Sequence, residues 1–487
     1  MSIGLSDKRQ ALAQFFSPAP VARFMASLFE KVPAELRLLD AGAGVGALSV
    51  AVVERLSAAK EKPQTITVTA YELDNGLIPQ LEQAYAKCES LCFTAGVGFK
   101  AKVSNTDFIE SALSLIRGDL FDSLQTPFNA AILNPPYRKI QSDSAARLLL
   151  RSAGIETSNL YTGFLALTAK LLADNGELVA ITPRSFCNGP YFKPFRQQFL
   201  SMMSLRRLHL LDSRSEAFRE DDVLQENIIL HAVKSTEKPS RVTVSMSSGV
   251  PSNSITERSR AYTDIVSPDD PEQFVHLVTD DFQERARQYV RNLSTSLHEL
   301  GLDVSTGRVV DFRARNFLVA EPNGSTLPLI YPCHFHQGFV QWPLVNSRKP
   351  NAILDKDDTQ QLLVNSGIYV LVKRFSSKEE RRRIVACIYE PTRVPGNKVG
   401  FENHLNYFHA RGKPLPLILA KGLAAYLNST VVDSYFRQFN GHTQVNATDL
   451  RNLPYPTIAQ LRGLGGVIGD AFPEQSALDQ LVAEIIS

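Results

Sequence analysis

The sequence predicts a doubly wound α/β domain over residues 1–240, with a mostly parallel sheet carrying an antiparallel edge, and a second, α+β domain over residues 241–487. Three observations carry this prediction. Strand and helix patterns alternate through the first half, the arrangement that builds a parallel sheet. The first strand runs straight into three alternating glycines in "LLDAGAGVG". After Lys234 the alternation stops, and "STEKPSRVTVSMSSGVPSNSITERSR" turns rich in Ser, Pro and charge, which reads as a linker or domain edge.

Taken in order, "PAPVARFMASLFEKV" places Val21, Phe24, Met25 and Leu28 at helical spacing. Leu36–Leu39 form a strand, and the helix after the glycines keeps Leu48, Val52 and Leu56 on one face. Ile66–Tyr71 is a β-branched strand, followed by a helix from about Leu77 to Cys88. Further strands are expected at Ile109–Leu115, Ala130–Leu133 and Glu177–Thr182. The helix between the last two buries Phe164, Leu167 and Leu171 and should stop at Gly176. "RRLHLLDS" and "ENIILHAVK" supply the late strands of the antiparallel edge. Further on, "LILAKGLAAYLNSTVVDSYFRQF" is a helix with Leu419, Leu423, Tyr426 and Leu427 on one face.

Composition bounds the function. With 487 residues, 44% hydrophobic and 21% charged, the chain has material for two or three cores. No apolar run approaches the roughly 20 residues that span a bilayer, and the N-terminus lacks a secretory pattern, so no membrane partner and a cytoplasmic location are expected. Five cysteines fit a reducing compartment. Cys88 with Cys92, and "CHFH" at Cys333, His334 and His336, lack a second ligand pair at zinc spacing, so no metal is expected. A net charge of +2 neither demands nor excludes nucleic acid.

The chemistry gathers at the strand ends. Asp40 and Ala41 close the first strand, and Gly42, Gly44 and Gly46 let the backbone turn tightly beneath a ligand. Such turns serve dinucleotides, phosphates and S-adenosylmethionine alike. The dinucleotide fingerprint wants two further residues before its last glycine, and Asp40 would oppose a pyrophosphate; it suits a cationic ligand. Glu72, followed by Leu73 in "YELD", stands where a carboxylate can accept both hydroxyls of a ribose. A third strand end is expected at "RGDLFDSL", where Asp119 could accept from an adenine amine and Leu120 or Phe121 pack on the purine. The fourth carries Asn134, Pro135, Pro136 and Tyr137, a rigid extended corner.

With "DAGAGVG", "YELD", "GDLF" and "NPPY" in this order, the chain resembles the gamma-class amino-group DNA adenine methyltransferases, and the BsuBI/PstI-like restriction–modification methylases most closely. "QFFSPAPVARFM" is similar to the family's N-terminal motif, and "GHTQVNATDLRNLPYP" to the ending of that group. Relatives often read Asp-Pro-Ala-Cys-Gly-x-Gly at the glycine turn, whereas Gly42 and Ala43 stand here in place of Ala and Cys. The resemblance covers residues 14 to about 235 densely and the remainder thinly. It implies a Rossmann-like S-adenosylmethionine methyltransferase domain, a C-terminal target-recognition domain, and transfer of a methyl group to the exocyclic N6 of an adenine flipped from duplex DNA. It implies that Phe16, Ser17 and Pro18 help enclose the cofactor, with Asn134 also beside it, and that Phe218 faces the base opposite Tyr137. A separately encoded restriction endonuclease sharing the target site belongs to the same implication.

An exocyclic amine is a poor nucleophile because its lone pair is delocalised into the purine. The Asn134 side-chain oxygen and the Pro135 carbonyl can accept both N–H bonds and draw the nitrogen towards tetrahedral geometry, while Tyr137 offers a stacking face. Two other readings use the same residues: methyl transfer to RNA or protein, and a non-catalytic DNA-binding relative. For target reading, the tip at Asn397 and Lys398 and the loop with His442, Thr443, Gln444 and Asn446 are the candidates, whereas "KEERRR" reads as a solvated face. These motifs set neither the target sequence nor an oligomeric state.

Overall fold

The β-branched and apolar runs of the first half form one sheet. The computed structural model describes residues 17–118, 126–212, 226–248, 251, 255–376, 380–441 and 443–486. The chain divides into two compact units, residues 1–279 and 280–487.

In the first unit, helix α1 (Ala19–Ser27) precedes β1 (Glu35–Ala41), α2 (Ala47–Ser57), β2 (Thr65–Tyr71), α3 (Ile78–Ala95) and β3 (Gly98–Ser104). Next come α4 (Phe108–Arg117), β4 (Phe128–Leu133), α5 (Ala145–Ser152), α6 (Leu160–Leu171), β5 (Leu172–Pro183) and α7 (Lys193–Met202). The unit's remaining strands are β6 (Met203–Asp212), β7 (Asn227–Lys234), β8 (Arg241–Ser248) and β9 (Ile255–Ala261). Among the described residues the sheet has nine strands in the order β3-β2-β1-β4-β5-β7-β6-β8-β9. Strands β1 to β5 are parallel, and β7 runs antiparallel to both β5 and β6. The order reverses between β1 and β4, the switch point at which doubly wound sheets open a crevice beyond the strand ends. One core lies on each face: Val52, Val68, Leu81 and Val179 on one side, Leu39, Phe164, Leu167 and Leu178 on the other.

The structure corrects several of these expectations. Ile109–Leu115 is not a strand: Asp107 caps α4 by accepting from Ile109 N, and Phe108, Ile109, Ala112 and Leu113 bury one helical face. The third strand is instead Gly98–Ser104, an edge strand with Lys100 and Lys102 exposed. Helix α6 ends at Leu171 rather than near Gly176, because Leu172 is already extended (φ −70°, ψ 147°) and Asn175 turns left-handed (φ 63°) inside a register irregularity of β5. The expected linker after Lys234 contains two strands: β8 pairs parallel to β6, and β9 antiparallel to β8. The β7–β6 pair is therefore followed by β8 and by β9, which closes the sheet as an antiparallel edge strand, and the first unit continues past residue 240 to Thr279.

The second unit begins with α8 (Asp281–Arg291) and β10 (Asp303–Thr306). It continues through β11 (Leu318–Val319), β12 (Thr326–Ile330), β13 (Phe335–His336), β14 (Phe339–Val340), β15 (Ala352–Leu354), β16 (Leu363–Asn365), β17 (Tyr369–Lys373), β18 (Ala386–Tyr389), β19 (Lys398–Phe401) and β20 (Leu405–His409). Helices α9 (Leu417–Leu427), α10 (Thr430–Phe439), α11 (Ile458–Val467) and α12 (Gln475–Ile486) close it. Two small sheets, β10-β20-β17-β18-β14-β13 and β11-β15-β12-β19-β16, make it α+β. Part of "KEERRR" is not a solvated face. Arg383 is buried and donates to Ser376 Oγ (3.0 Å) and Asn440 Oδ1 (2.7 Å), and Arg382 donates to the Asn428 carbonyl (2.5 Å).

Candidate active site

The C-terminal ends of β1 to β4 converge on one cleft, lined by Ser17, Gly42 to Val45, Glu72, Leu73, Thr106 to Ile109, Asn134, Pro136, Arg138 and Phe164, among others. At the end of β1, Gly42 N and Ala43 N both donate to Tyr71 O at 2.9 Å, and Gly46 N donates to Ala43 O at 2.8 Å. Gly42, Gly44 and Gly46 are all left-handed (φ 83°, 57° and 82°), a conformation that disfavours side chains. The turn is thus tied back onto the end of β2 and lines the cleft at the start of α2.

Asp40 lies beneath this turn, 1% exposed, and neither carboxylate oxygen has a hydrogen bond of good geometry among the described residues. Burial pushes its carboxyl up to about 7; the nearby Ser49 opposes the shift and the Glu72 charge adds to it.

Glu72, at the end of β2, is held from two sides. Its Oε2 accepts from Gly44 N and its Oε1 from Asp74 N, each at 2.7 Å, and Asn105 donates to its carbonyl at 2.8 Å. The carboxylate is therefore fixed across the glycine turn, at the cleft wall. Leu73 beside it is largely exposed and offers apolar surface.

The third strand end brings residues the sequence reading missed. Thr106, Asp107 and Phe108 follow β3 into the cleft, and the Phe108 ring lies 5.4 Å from Tyr71 and 4.9 Å from Phe164. The signal was present in "GFKAKVSNTDF", where Phe99, Ala101 and Val103 alternate with lysines before an Asp that caps a helix. The expectation at Asp119 and Leu120 requires a strand at 109–115. That stretch is α4, which ends at Gly118, and the two residues themselves lie outside the described residues, as do Phe16, Phe218 and His442.

At the end of β4, Asn134 is fixed at both ends of its amide. Its Nδ2 donates to Ser17 Oγ at 3.1 Å, and its Oδ1 accepts from the Tyr137 hydroxyl at 2.9 Å. Tyr137 also lies 3.2 Å from the Ile181 carbonyl of β5, its ring meets Tyr161 edge-on at 6.2 Å, and burial pushes its phenol far up. Tyr161 is anchored in turn by Ser185 at 2.8 Å. The corner therefore has a defined polarity: nitrogen towards Ser17, oxygen towards Tyr137. Pro18 stands at the N-cap of α1, next to Ser17. Asn134 and Pro136 line the cleft with the glycine turn and Glu72, while Tyr137 is half-buried behind them.

Comparison with known proteins decides the family. The model for the Eco57I restriction–modification methylase matches residues 79–218. The chain is 44% identical over 474 residues to the type II methyltransferase M.PstI of Providencia stuartii, spanning 97% of this chain and 92% of that protein. It is 44% identical over 464 residues to M.BsuBI of Bacillus subtilis, spanning 95% and 91%.

The chain belongs to the BsuBI/PstI-like type II methyltransferases.

This methyltransferase also shares its fold with the type IIL restriction–modification enzyme MmeI, solved in complex with DNA: TM-score 0.58, 11% identity, over 96% of this chain and 72% of that one.

The target-reading candidates of this methyltransferase do not gather in one place. Asn397 and Lys398 lie at the start of β19, with the Lys398 ammonium bonded to Gln360 Oε1. Thr443 and Gln444 pack against Phe375 and Ser376, beyond the end of β17, through the Ser376 N to Thr443 O bond (3.0 Å) and a bridge between Phe375 and Gln444. Asn446 caps the short helical turn Ala447–Arg451, with Asp449 accepting its backbone N–H at 3.1 Å.

Proposed function

We propose that this chain transfers a methyl group from S-adenosylmethionine to the exocyclic N6 of an adenine flipped out of duplex DNA, as the modification enzyme of a type II restriction–modification system. One observation carries the reading: an amide of fixed polarity, Asn134, followed by the rigid Pro135-Pro136 pair, opens into the same cleft as the glycine turn and Glu72. The buried carboxylate of Asp40 beneath the turn favours a cationic cofactor over a dinucleotide. When bound, S-adenosylmethionine supplies an electrophilic methyl group on a sulfonium.

In this proposal Asp40, buried beneath the glycine turn, offsets the ligand's positive charge from below, the Glu72 carboxylate, held by Gly44 N and Asp74 N, uses its remaining lone pairs for the ribose hydroxyls, and Leu73 and Phe108 wall the adenine ring, with Asp107 beside it. Ser17 holds the Asn134 amide so that its oxygen, not its nitrogen, is presented to the substrate amine. An amide oxygen has two lone pairs, so Oδ1 can keep the Tyr137 hydroxyl and still accept from the amine. The Pro135 carbonyl accepts the second N–H, and the amine lone pair is freed for in-line attack. The flipped base would pack against Pro136 and the outer face of Tyr137. A separately encoded endonuclease sharing the target site completes the system.

The test is transfer of tritium-labelled methyl from S-adenosylmethionine to unmethylated plasmid DNA, to RNA and to protein. DNA should be labelled, on adenine N6. Asn134→Ala should lose at least about a hundredfold in kcat while retaining cofactor affinity. Tyr137→Ala should lower kcat more than it weakens duplex binding. Full activity in Asn134→Ala would sink the mechanism; labelling of RNA or protein but not DNA would sink the substrate.

A further inference from the structure

The first small sheet of the second unit sets three chain segments at one end. Thr306 of β10 pairs with Asn406 of β20, and Lys373 of β17 with Leu405. The segment leaving β10, the one entering β20 and the one leaving β17 therefore emerge together. Backbone bonds stitch them: Asn403 N to Val309 O (2.8 Å), Arg374 N to His404 O (2.8 Å), Val445 N to Arg374 O (2.7 Å) and Ser376 N to Thr443 O (3.0 Å).

At the centre stands a histidine built for one orientation. Glu402, its side chain 1% exposed, spends Oε1 on His404 Nδ1 (2.5 Å) and Oε2 on His404 N (2.9 Å). The imidazole is nonetheless 47% exposed, its ring centroid lies 4.8 Å from that of Phe375, and Arg374 stands 5.6 Å from the same Phe375 ring. A buried carboxylate that fixes an exposed imidazole leaves Nε2 turned away from the bond, towards an outside partner. Phe375 is itself exposed, so its ring face is open beside the imidazole. Arg308, exposed just after β10, and Arg374 add positive charge at this end, and Thr443 and Gln444 add short polar groups.

We propose that this sheet end contacts duplex DNA, with His404 as a base-reading side chain that Glu402 orients, Phe375 as an apolar base contact, and Arg308 and Arg374 as phosphate contacts. The proposal rests on the reading that the substrate is duplex DNA, and it deepens that reading by locating target recognition. Three features favour this end over the Asn397–Lys398 tip at the opposite end of β19. Cations, an aromatic face and oriented polar groups occur together here, the combination that separates phosphate positioning from base readout. The reading group is fixed before binding, so little side-chain entropy is lost on contact. Lys398 is bonded to the Gln360 side chain, whereas Arg308 and Arg374 each donate one Nη to a backbone carbonyl, of Gln361 and Asn403, and a guanidinium has further N–H donors for phosphate.

The experiment measures methyl transfer to unmethylated plasmid DNA, with target sites mapped by methylation-sensitive sequencing, for the full-length chain and four variants. His404→Ala should lower kcat/KM about thirtyfold and relax the target at one base position, with unchanged cofactor affinity by calorimetry. His404→Gln, which keeps a polar reach, should lose less than His404→Ala. Phe375→Ala should lower kcat/KM by about tenfold. Arg374→Ala should weaken binding on all sequences alike and shallow the log–log salt slope by about one unit. If His404→Ala and Phe375→Ala methylate the wild-type site at wild-type kcat/KM, this surface is overturned while the proposed function stands. If the wild-type chain labels no DNA, both fall together.

Discussion

Asp40 shows how one buried side chain can tie stability, pH and ligand binding together. Its carboxyl titrates near 3.8 when unfolded and is pushed up to about 7 in the fold, chiefly by burial. Between those values the folded chain keeps a proton that the unfolded chain has released, so stability falls as pH rises from about 4 to 7 and stays low above it. A shift of this size corresponds to about 4 kcal/mol. Asp40→Asn should therefore flatten the pH dependence of unfolding in that window, and should raise the thermal midpoint at pH 8, as measured by calorimetric scans of both proteins. The same substitution should weaken S-adenosylmethionine, because the ionised form is what a cation selects. Below about pH 7 the wild-type affinity should fall as Asp40 takes up its proton, and this component should be missing from the variant. An Asp40→Asn protein no more stable than wild type at pH 8 would mean that Ser49 already compensates the buried charge.

At the scale of elements, the glycine turn and α2 depend on one position. Gly46 is left-handed (φ 82°), and a Cβ there would stand 2.7 Å from Leu81 Cδ1, a fully buried atom of α3 that has little room to move. Gly46→Ala should cost about 1–2 kcal/mol from backbone conformation alone, plus the displacement of α3, and should weaken cofactor binding at least tenfold. Gly96→Ala, also left-handed (φ 71°) but facing open space after α3, should pay only the backbone cost and leave the cofactor untouched. Thermal midpoints and calorimetric titrations of the two variants separate these effects. The elements legible in the sequence were those with an unambiguous pattern: β1 and β4 are largely apolar runs and β2 a β-branched alternation, each leading into turn residues, and Asp40, Glu72 and Asn134 stand at their ends. Strand β3 escaped because it is an edge strand whose lysines face solvent, and its loss displaced the third strand end from Asp107 to Asp119. The short strands of the second unit, many of two to five residues, pair over long separations that no local pattern encodes.

For the whole molecule, the decisive stretch is residues 241–279, whose Ser- and Pro-rich composition resembles a linker but whose alternation is that of strands. Val242 and Val244 on β8 enter the core, and Tyr262, Ile265, Val266, Val275 and Leu277 join them there. Val275 N also donates to Cys187 O at 2.9 Å, and the buried Arg196 donates through Nε to Glu272 O at 2.9 Å and through an Nη to Asn188 O at 2.7 Å. Removing these seven apolar side chains forfeits on the order of 10 kcal/mol of burial, comparable with the entire stability of an ordinary domain. It also uncovers the β6 edge along its full pairing with β8, an invitation to aggregate. A chain ended after residue 240 should therefore be insoluble on expression, whereas one ended after Thr279 should be soluble, unfold cooperatively, and bind S-adenosylmethionine, because the glycine turn, Glu72 and Asn134 all lie within it. The longer fragment should nevertheless fail to methylate plasmid DNA, since the sheet end bearing His404 is absent from it. Soluble, cofactor-binding protein from the 1–240 chain would show that β8 and β9 decorate the sheet rather than complete it, and would move the boundary of the first unit back to where its composition changes.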